Sequence, residues 1–205
     1  MNKRHIMQQG MTIAFLGPDG SGKSTLISGL LRRDLPFLQT DYFHLKPLVT
    51  KESKTNNVVE DPHAQGTYSS LKSYIKLFIF IVQYNYGWVK NIKPLKKKNS
   101  LIIFDRYYDD LLVDFKRYRY GGSKSVAKLV AKCIPKPDIY FILITDWEII
   151  HNRKQEVSID ELKRQLKGYR NLVDNEQYVH VDVSKSPAKI VNQLQEVILN
   201  KLNDR

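Results

Sequence analysis

The chain has almost no cysteine. Its single thiol, Cys133, cannot close an intramolecular disulfide, and that shortage fits a reducing cytosol. In "VAKCIPKPD" the thiol has apolar neighbours and is expected to be packed and inert. Long hydrophobic runs are missing as well. The longest, "LFIFIV" at 77–82, is far too short to cross a bilayer, so no membrane insertion is expected. The opening "MNKRHIMQQG" carries basic residues with no apolar stretch behind them, so no secretory signal is expected and the location reads as cytoplasmic. Acidic residues are scarce, 21 against 33 basic ones in 205 residues, which leaves a net charge of +12. Such a field attracts polyanions, and nucleotides, nucleic acids and membrane surfaces all qualify. No internal repeat or low-complexity linker divides the chain. Residues 1–205 read as one domain, with 1–10 expected to be flexible.

Five short apolar segments read as strands: 12–16, 36–41, 100–105, 139–144 and 178–183. Most are continuous apolar runs, as expected of strands buried on both faces. Helical patterns lie between them, at 24–33, 68–91 and 125–133. Thr145 with Glu148 and Ser158 with Glu161 form two capping boxes ahead of further helices, and Ser186–Pro187 opens the last one. The alternation predicts an α/β fold of three layers, a five-stranded parallel sheet with helices on both faces. The polar stretch 46–66 and the basic "KPLKKKNS" at 93–100 read as loops.

Glycine is sparse, ten residues in all, yet three fall within "FLGPDGSGKSTL". Gly17, four residues, then Gly22, Lys23, Ser24 and Thr25 is the phosphate-binding loop pattern. Bare backbone around Gly17, Gly20, Ser21 and Gly22 can curl so that several N–H groups face one anion. The helix that follows adds its positive end. Lys23 supplies a point charge for the outer phosphates, and the Ser24 hydroxyl can ligate Mg²⁺. A second element should follow, a strand ending in an acid beside the loop. "LIIFDRYYDD" provides Asp105 as a further Mg²⁺ ligand and Arg106 to grip a phosphoryl group. A guanine-reading Asn-Lys-x-Asp is absent, since "NKLN" lacks the final Asp. Motors and helicases need a longer chain. A small kinase using ATP remains.

At these residues the chain resembles the thymidylate kinase family. "GPDGSGKST", "DRYYDD", "PKPDIYFILIT", "RKQEVSIDELKRQLKGYRNL" and "VDVSKSP" are each similar to a segment of that family. The resemblance implies a P-loop kinase fold with a short lid at about 151–160. It implies that Lys23, Ser24 and Thr25 bind the ATP phosphates and Mg²⁺, and that Asp19 faces the acceptor. Asp105 and Arg106 would lie between donor and acceptor, Arg153 would close over the transferring phosphate, and Ser184, Lys185 and Ser186 would border the adenine. Pairing of two copies through the acceptor-side helices is also implied. Two positions depart from the family. Lys46 and Pro47 stand where it carries an arginine with a nearby proline for the acceptor phosphate, and lysine is not bidentate. The stretch 68–90 offers Tyr74, Phe78, Tyr84, Tyr86 and Trp88 as base-stacking or core aromatics, but no arginine.

Two acceptor chemistries stay open. A phosphate monoester is already an anion at neutral pH and needs cations and alignment. A hydroxyl needs a carboxylate to take its proton. Asp19, Asp41, Asp105 and Asp109 fall near expected strand ends, and "TDYFHLKP" would bring Asp41, His44 and Lys46 to the sheet's carboxyl edge. The first reading is therefore transfer of the ATP γ-phosphate to a nucleoside monophosphate. The alternative is a kinase on the same scaffold acting on a hydroxyl, such as a sugar in glycan assembly. A nucleotide-gated binding protein draws only on the charge, and no nucleic-acid partner is expected.

Overall fold

Strand β1 (Met11–Leu16) is buried at every position, because it is the middle strand of the sheet. Its partners are β3 (Ser100–Asp105) and β4 (Ile139–Ile144), and β2 (Gln39–His44) and β5 (Tyr178–Asp182) form the edges. The order is β2-β3-β1-β4-β5 and every pairing is parallel. The computed structural model describes residues 9–48, 66–172 and 177–204. The helices are α1 (Lys23–Leu30), α2 (Ser70–Gly87), α3 (Lys93–Lys97), α4 (Tyr108–Val113), α5 (Lys124–Ala131), α6 (Trp147–Arg153), α7 (Ile159–Arg170) and α8 (Pro187–Asn203).

Successive side chains of the central strands feed two cores, as period-two geometry requires. Met11, Ile13, Phe15, Leu101, Ile103, Phe141 and Leu143 face α1 and α8. Ala14, Leu16, Ile102, Phe104, Tyr140 and Ile142 face α2, α4 and α5. This is the three-layer α/β arrangement that the alternation of elements predicts.

Several boundaries differ from expectation. The second strand begins at Gln39, three residues later than its apolar start suggests. Ahead of it the Phe37 N–H turns back to the Leu35 carbonyl (2.7 Å), and Leu38 is exposed. As an edge strand β2 is half polar, which hides it from a search for apolar runs. The shift corrects the placing of Asp41. It pairs with Ile102 mid-strand, and its carboxylate accepts from the Ser100 hydroxyl (2.7 Å) and the Gln39 amide (2.8 Å). Asp41 therefore points away from the carboxyl edge where an acceptor loop was expected.

Helix α2 widens into a π turn over Trp88–Ile92, and α3 follows, so "KPLKKKNS" opens as helix instead of loop. Pro94 has no N–H to return to Lys90, and the ladder is rewound just ahead of it. Asp146, not Thr145, occupies the N-cap of α6. The Ser158 hydroxyl does accept from the Glu161 N–H (3.3 Å), but the Glu161 carboxylate is taken by Arg164 (2.9 Å). Helix α4 has only six residues and gave no periodic signal. Cys133 is exposed, not packed. The flexible start and most of the 46–66 loop fall on residues 1–8 and 49–65, outside the described residues.

Candidate active site

The chain leaves β1 at Gly17 and enters α1 at Lys23. Gly20 and Gly22 have φ of 82° and 86°, the left-handed region that side chains disfavour. A Cβ at Gly20 would lie 3.1 Å from the Ile150 carbonyl, whereas at Gly22 nothing lies within 4 Å. The Ser21 N–H bonds back to the Pro18 carbonyl (3.2 Å). Among the described residues the amides of Gly20, Gly22, Lys23 and Ser24 have no acceptor in the chain. A curl of unsatisfied donors at a helix start is an anion cradle, and its open side suits a polyphosphate. Lys23 lies folded along the loop. Its ammonium donates to the carbonyls of Gly17 (2.7 Å) and Pro18 (2.9 Å). Burial, reinforced by the Arg106 guanidinium, lowers its pKa to about 7.

Strand β3 ends beside this loop. Phe15 pairs with Asp105, and the Arg106 N–H donates to the Phe15 carbonyl (3.0 Å). The Tyr42 hydroxyl donates to Asp105 Oδ2 (3.0 Å), while Oδ1 is buried with no hydrogen-bond partner. Ser24 is exposed at the start of α1. A carboxylate oxygen without a partner and a free hydroxyl are hard donors that fit Mg²⁺. Among the described residues no three metal-ligating side chains gather, and a magnesium site completed by phosphate oxygens needs only one or two. His44 pairs in register with Asp105 at the end of β2; burial lowers its pKa against the pull of that carboxylate.

Arg106 is 5% exposed and has φ of 68°, an unfavourable backbone for a non-glycine residue. Its position is held by carboxylates on two sides. One guanidinium nitrogen donates to Asp110 (2.7 Å) and another to Asp19 in the loop. Burial works against the charge on Arg106, but Asp110 outweighs it and keeps the group protonated. Asp110 is fully buried and also accepts from the hydroxyls of Tyr118 (3.1 Å) and Tyr169. Asp19 is also paired with Arg117.

Tyr118 leads from this network to α2 and the Lys46 loop. Lys76 on α2 donates to the Tyr118 carbonyl (2.5 Å) and lies over the rings of Tyr68, Phe80 and Tyr118. The Lys46 ammonium sits 4.5 Å from the Phe80 centroid. The Lys46 loop is fixed to the end of α2, where Tyr84 donates to the Leu45 carbonyl (2.5 Å) and Asn91 to the Pro47 carbonyl (2.7 Å). Burial lowers the pKa of Lys46, and burial with Lys46 and Arg119 lowers that of Lys76 to about 8. Tyr74 lies elsewhere. It is 39% exposed, and its hydroxyl accepts from the Ser123 N–H (3.4 Å). Tyr84 is core, Phe78 and Tyr86 are exposed, and Trp88 stacks on Phe104.

On the opposite side a cavity of about 190 Å³ is lined by Ser21, Gly22, Thr25, Arg153, Val183, Lys185 and Pro187. Arg153 ends α6 and donates to the Val183 carbonyl (2.9 Å). The side chain expected over the transferring phosphate is thus bonded at the β5–α8 loop. Ser184 is turned toward Asp182 by its N–H (2.9 Å) and its hydroxyl (2.8 Å), and Ser186 is the N-cap of α8. Lys154 at the start of the 154–158 link is paired with Glu156 (2.5 Å).

Gly17, Lys23, Asp19, Asp105 and Arg106 therefore share one site, Lys46 borders it, and Asp41 and Tyr74 do not. Tyr118, Lys76 and Arg117 escaped the sequence reading, while Asp110 and Tyr169 lie within the family-like segments "DRYYDD" and "RKQEVSIDELKRQLKGYRNL" without a role assigned there. Asp110 lies four residues after Arg106, which itself precedes α4 in a left-handed backbone conformation. Asp109, taken as a possible base, is 3% exposed and accepts from the Tyr178 hydroxyl (2.8 Å).

The chain is similar to known proteins. A family model described as thymidylate kinase matches residues 15–194. A probable thymidylate kinase of Methanosarcina barkeri is 25% identical over 214 residues, covering 95% of this chain and 98% of that protein. A thymidylate kinase of Mycoplasma capricolum is 25% identical over 218 residues, covering 95% and 97%. The fold is shared with the solved thymidylate kinase of Candida albicans at 21% identity and a TM-score of 0.66, covering 96% of this chain and 94% of that one.

Proposed function

The chain belongs to the thymidylate kinase family, and from that premise we propose that thymidylate is its acceptor, with Mg²⁺ held by Asp105 and Ser24. The reaction is ATP-dependent transfer of a phosphoryl group to a nucleoside monophosphate. In this reading the loop amides and Lys23 hold the donor phosphates, with Gly17, Gly20, Ser21, Gly22 and Thr25 shaping the cradle. Arg106 lies between donor and acceptor, and Lys46 and Lys76 receive the acceptor from the far side. Lys185 and the flanking Ser184 and Ser186 border the adenine, residues 151–160 serve as the lid of a single kinase domain, and Arg153, bonded to the Val183 carbonyl here, would leave it to reach the transferring phosphate. Bound Mg²⁺ would neutralise the outer phosphate oxygens. A cytoplasmic location fits a chain with one cysteine.

One observation carries the acceptor class. Lys23, Arg106, Lys76 and Lys46 line a path of cations from the loop to the acceptor side, and the one loop carboxylate among them, Asp19, is already paired. Such a site attracts an acceptor that arrives as an anion. A panel of nucleoside monophosphates and free sugars, read by ADP release, tests it. Thymidylate should turn over fastest, with activity lost in a chelator and restored by Mg²⁺. Turnover of a sugar with none of any monophosphate would refute the reading.

We also propose that two copies pair along α2. Leu71, Ile75, Phe78, Val82, Tyr86 and Val89 are exposed at spacings of three and four, a continuous apolar stripe. Equilibrium sedimentation should give twice the chain mass at micromolar concentration. A monomer there would end the idea.

A further inference from the structure

Arg117 lies on the connection between α4 and α5, almost a hundred residues from the loop it touches. Its guanidinium NH2 pairs with Asp19 Oδ2, while Arg106 pairs with Asp19 Oδ1. Each oxygen of the loop carboxylate therefore has its own guanidinium. Arg117 is anchored from behind by Asp114, a residue 2% exposed at the end of α4. Asp114 accepts from the Arg117 N–H (3.1 Å) and faces its Nε (3.4 Å). Arg106 is anchored in the same way by Asp110. The result is an alternating row of charge, Asp110, Arg106, Asp19, Arg117 and Asp114, with the loop acid at its centre.

This row has a chemical consequence. A carboxylate with a guanidinium nitrogen against each of its oxygens is a poor proton acceptor, because taking a proton would break charge-assisted contacts. Its own charge is offset by the two guanidiniums beside it, whose other partners, Asp110 and Asp114, are buried at the far ends of the row. Without Arg117, Asp19 would keep one pair and leave an oxygen open beside the acceptor path, repelling a phosphate dianion there.

We propose that Arg117 is a specificity-determining positioning residue. It neutralises Asp19 and so commits the site to an acceptor that is already an anion, a phosphate monoester, over a neutral hydroxyl. The inference rests on the monophosphate reading above and adds a residue and a reason to it. Arg117 acts through Asp19 and need not touch the acceptor.

The test is a double-mutant cycle with Arg117→Met, Asp19→Asn and the pair, assayed with thymidylate and ATP varied separately. Arg117→Met should raise KM for thymidylate about tenfold, with KM for ATP within twofold. In the Asp19→Asn background the same replacement should change KM for thymidylate by less than twofold, because no charge remains to be cancelled. A merely structural tie would lower the melting temperature and shift both KM values together, and that result overturns the proposal. So does an Arg117→Met enzyme with unchanged KM for thymidylate, or losses that multiply in the double variant. If Arg117→Met does not fold, Arg117→Lys keeps the charge without the fork. It should raise KM for thymidylate by a smaller factor, and no change in that variant would equally refute the inference. A wild-type protein inactive on every monophosphate sinks both readings, whereas an active one with an indifferent Arg117 sinks this one alone.

Discussion

Replacing Lys23 with alanine is expected to reduce phosphoryl transfer about a thousandfold, with the fold retained. Lys23 is 8% exposed, and its ammonium lies on the loop's own carbonyls, within the field of Arg106. No other lysine in the described loop can reach the donor phosphates. Transfer needs cations on the phosphoryl oxygens at the moment charge moves, and removing one preorganised donor typically costs two to three orders of magnitude, or about 3–4 kcal/mol. The same group should report donor binding directly. With its pKa lowered to about 7, Lys23 is mostly neutral at pH 8, and a bound triphosphate restores its charge. ATP binding at pH 8 should therefore take up close to one proton, and fewer at pH 6. Calorimetry in two buffers of different ionisation heat measures this, and the uptake should vanish in Lys23→Ala. Residual activity within tenfold of wild type would remove Lys23 from the chemistry.

Asp110→Ala should destabilise the protein by about 3–5 kcal/mol, because the buried Arg106 charge loses the more buried of its two carboxylate partners and two hydroxyls lose their acceptor. Asp110 is fully buried and accepts from Arg106, Tyr118 and Tyr169. Deleting its carboxylate leaves Arg106 with Asp19 as its one remaining carboxylate and orphans two buried hydroxyls. Since small domains are stable by only about 5–15 kcal/mol, the loss is a large share of the total. Urea unfolding should show a lower midpoint with an unchanged slope. A shift under about 1 kcal/mol would mean that water takes over the role of Asp110.

What could be read from the sequence was local. The glycine loop and the Asp105–Arg106 step each put their chemistry within a few consecutive residues, next to strands whose burial makes them unbroken apolar runs. Edge strand β2 was displaced because only one of its faces is covered, so its residues look like loop and the neighbouring Pro36–Leu38 looks like strand. That error carried Asp41 into the site and Tyr42 out of it. Arg117, Lys76 and Tyr118 could not be read at all. They matter through Asp19, Lys46 and Asp110, contacts set by how α2 and the α4–α5 connection pack over β1 and β3. Arg153 was found, but its direction depends on the Val183 carbonyl, thirty residues away in the chain.

Helix α2 serves two surfaces. One side carries Lys76 over its aromatic rings, where the acceptor is proposed to enter, and another carries the apolar stripe. A helix is stiff along eighteen residues, so it cannot roll on one side and stay still on the other. If copies join along that stripe, an acceptor that tips the helix in one subunit tips its neighbour as well. Saturation by the acceptor would then depart from a hyperbola, while saturation by ATP, if its phosphates sit at the start of α1 across the sheet, would not.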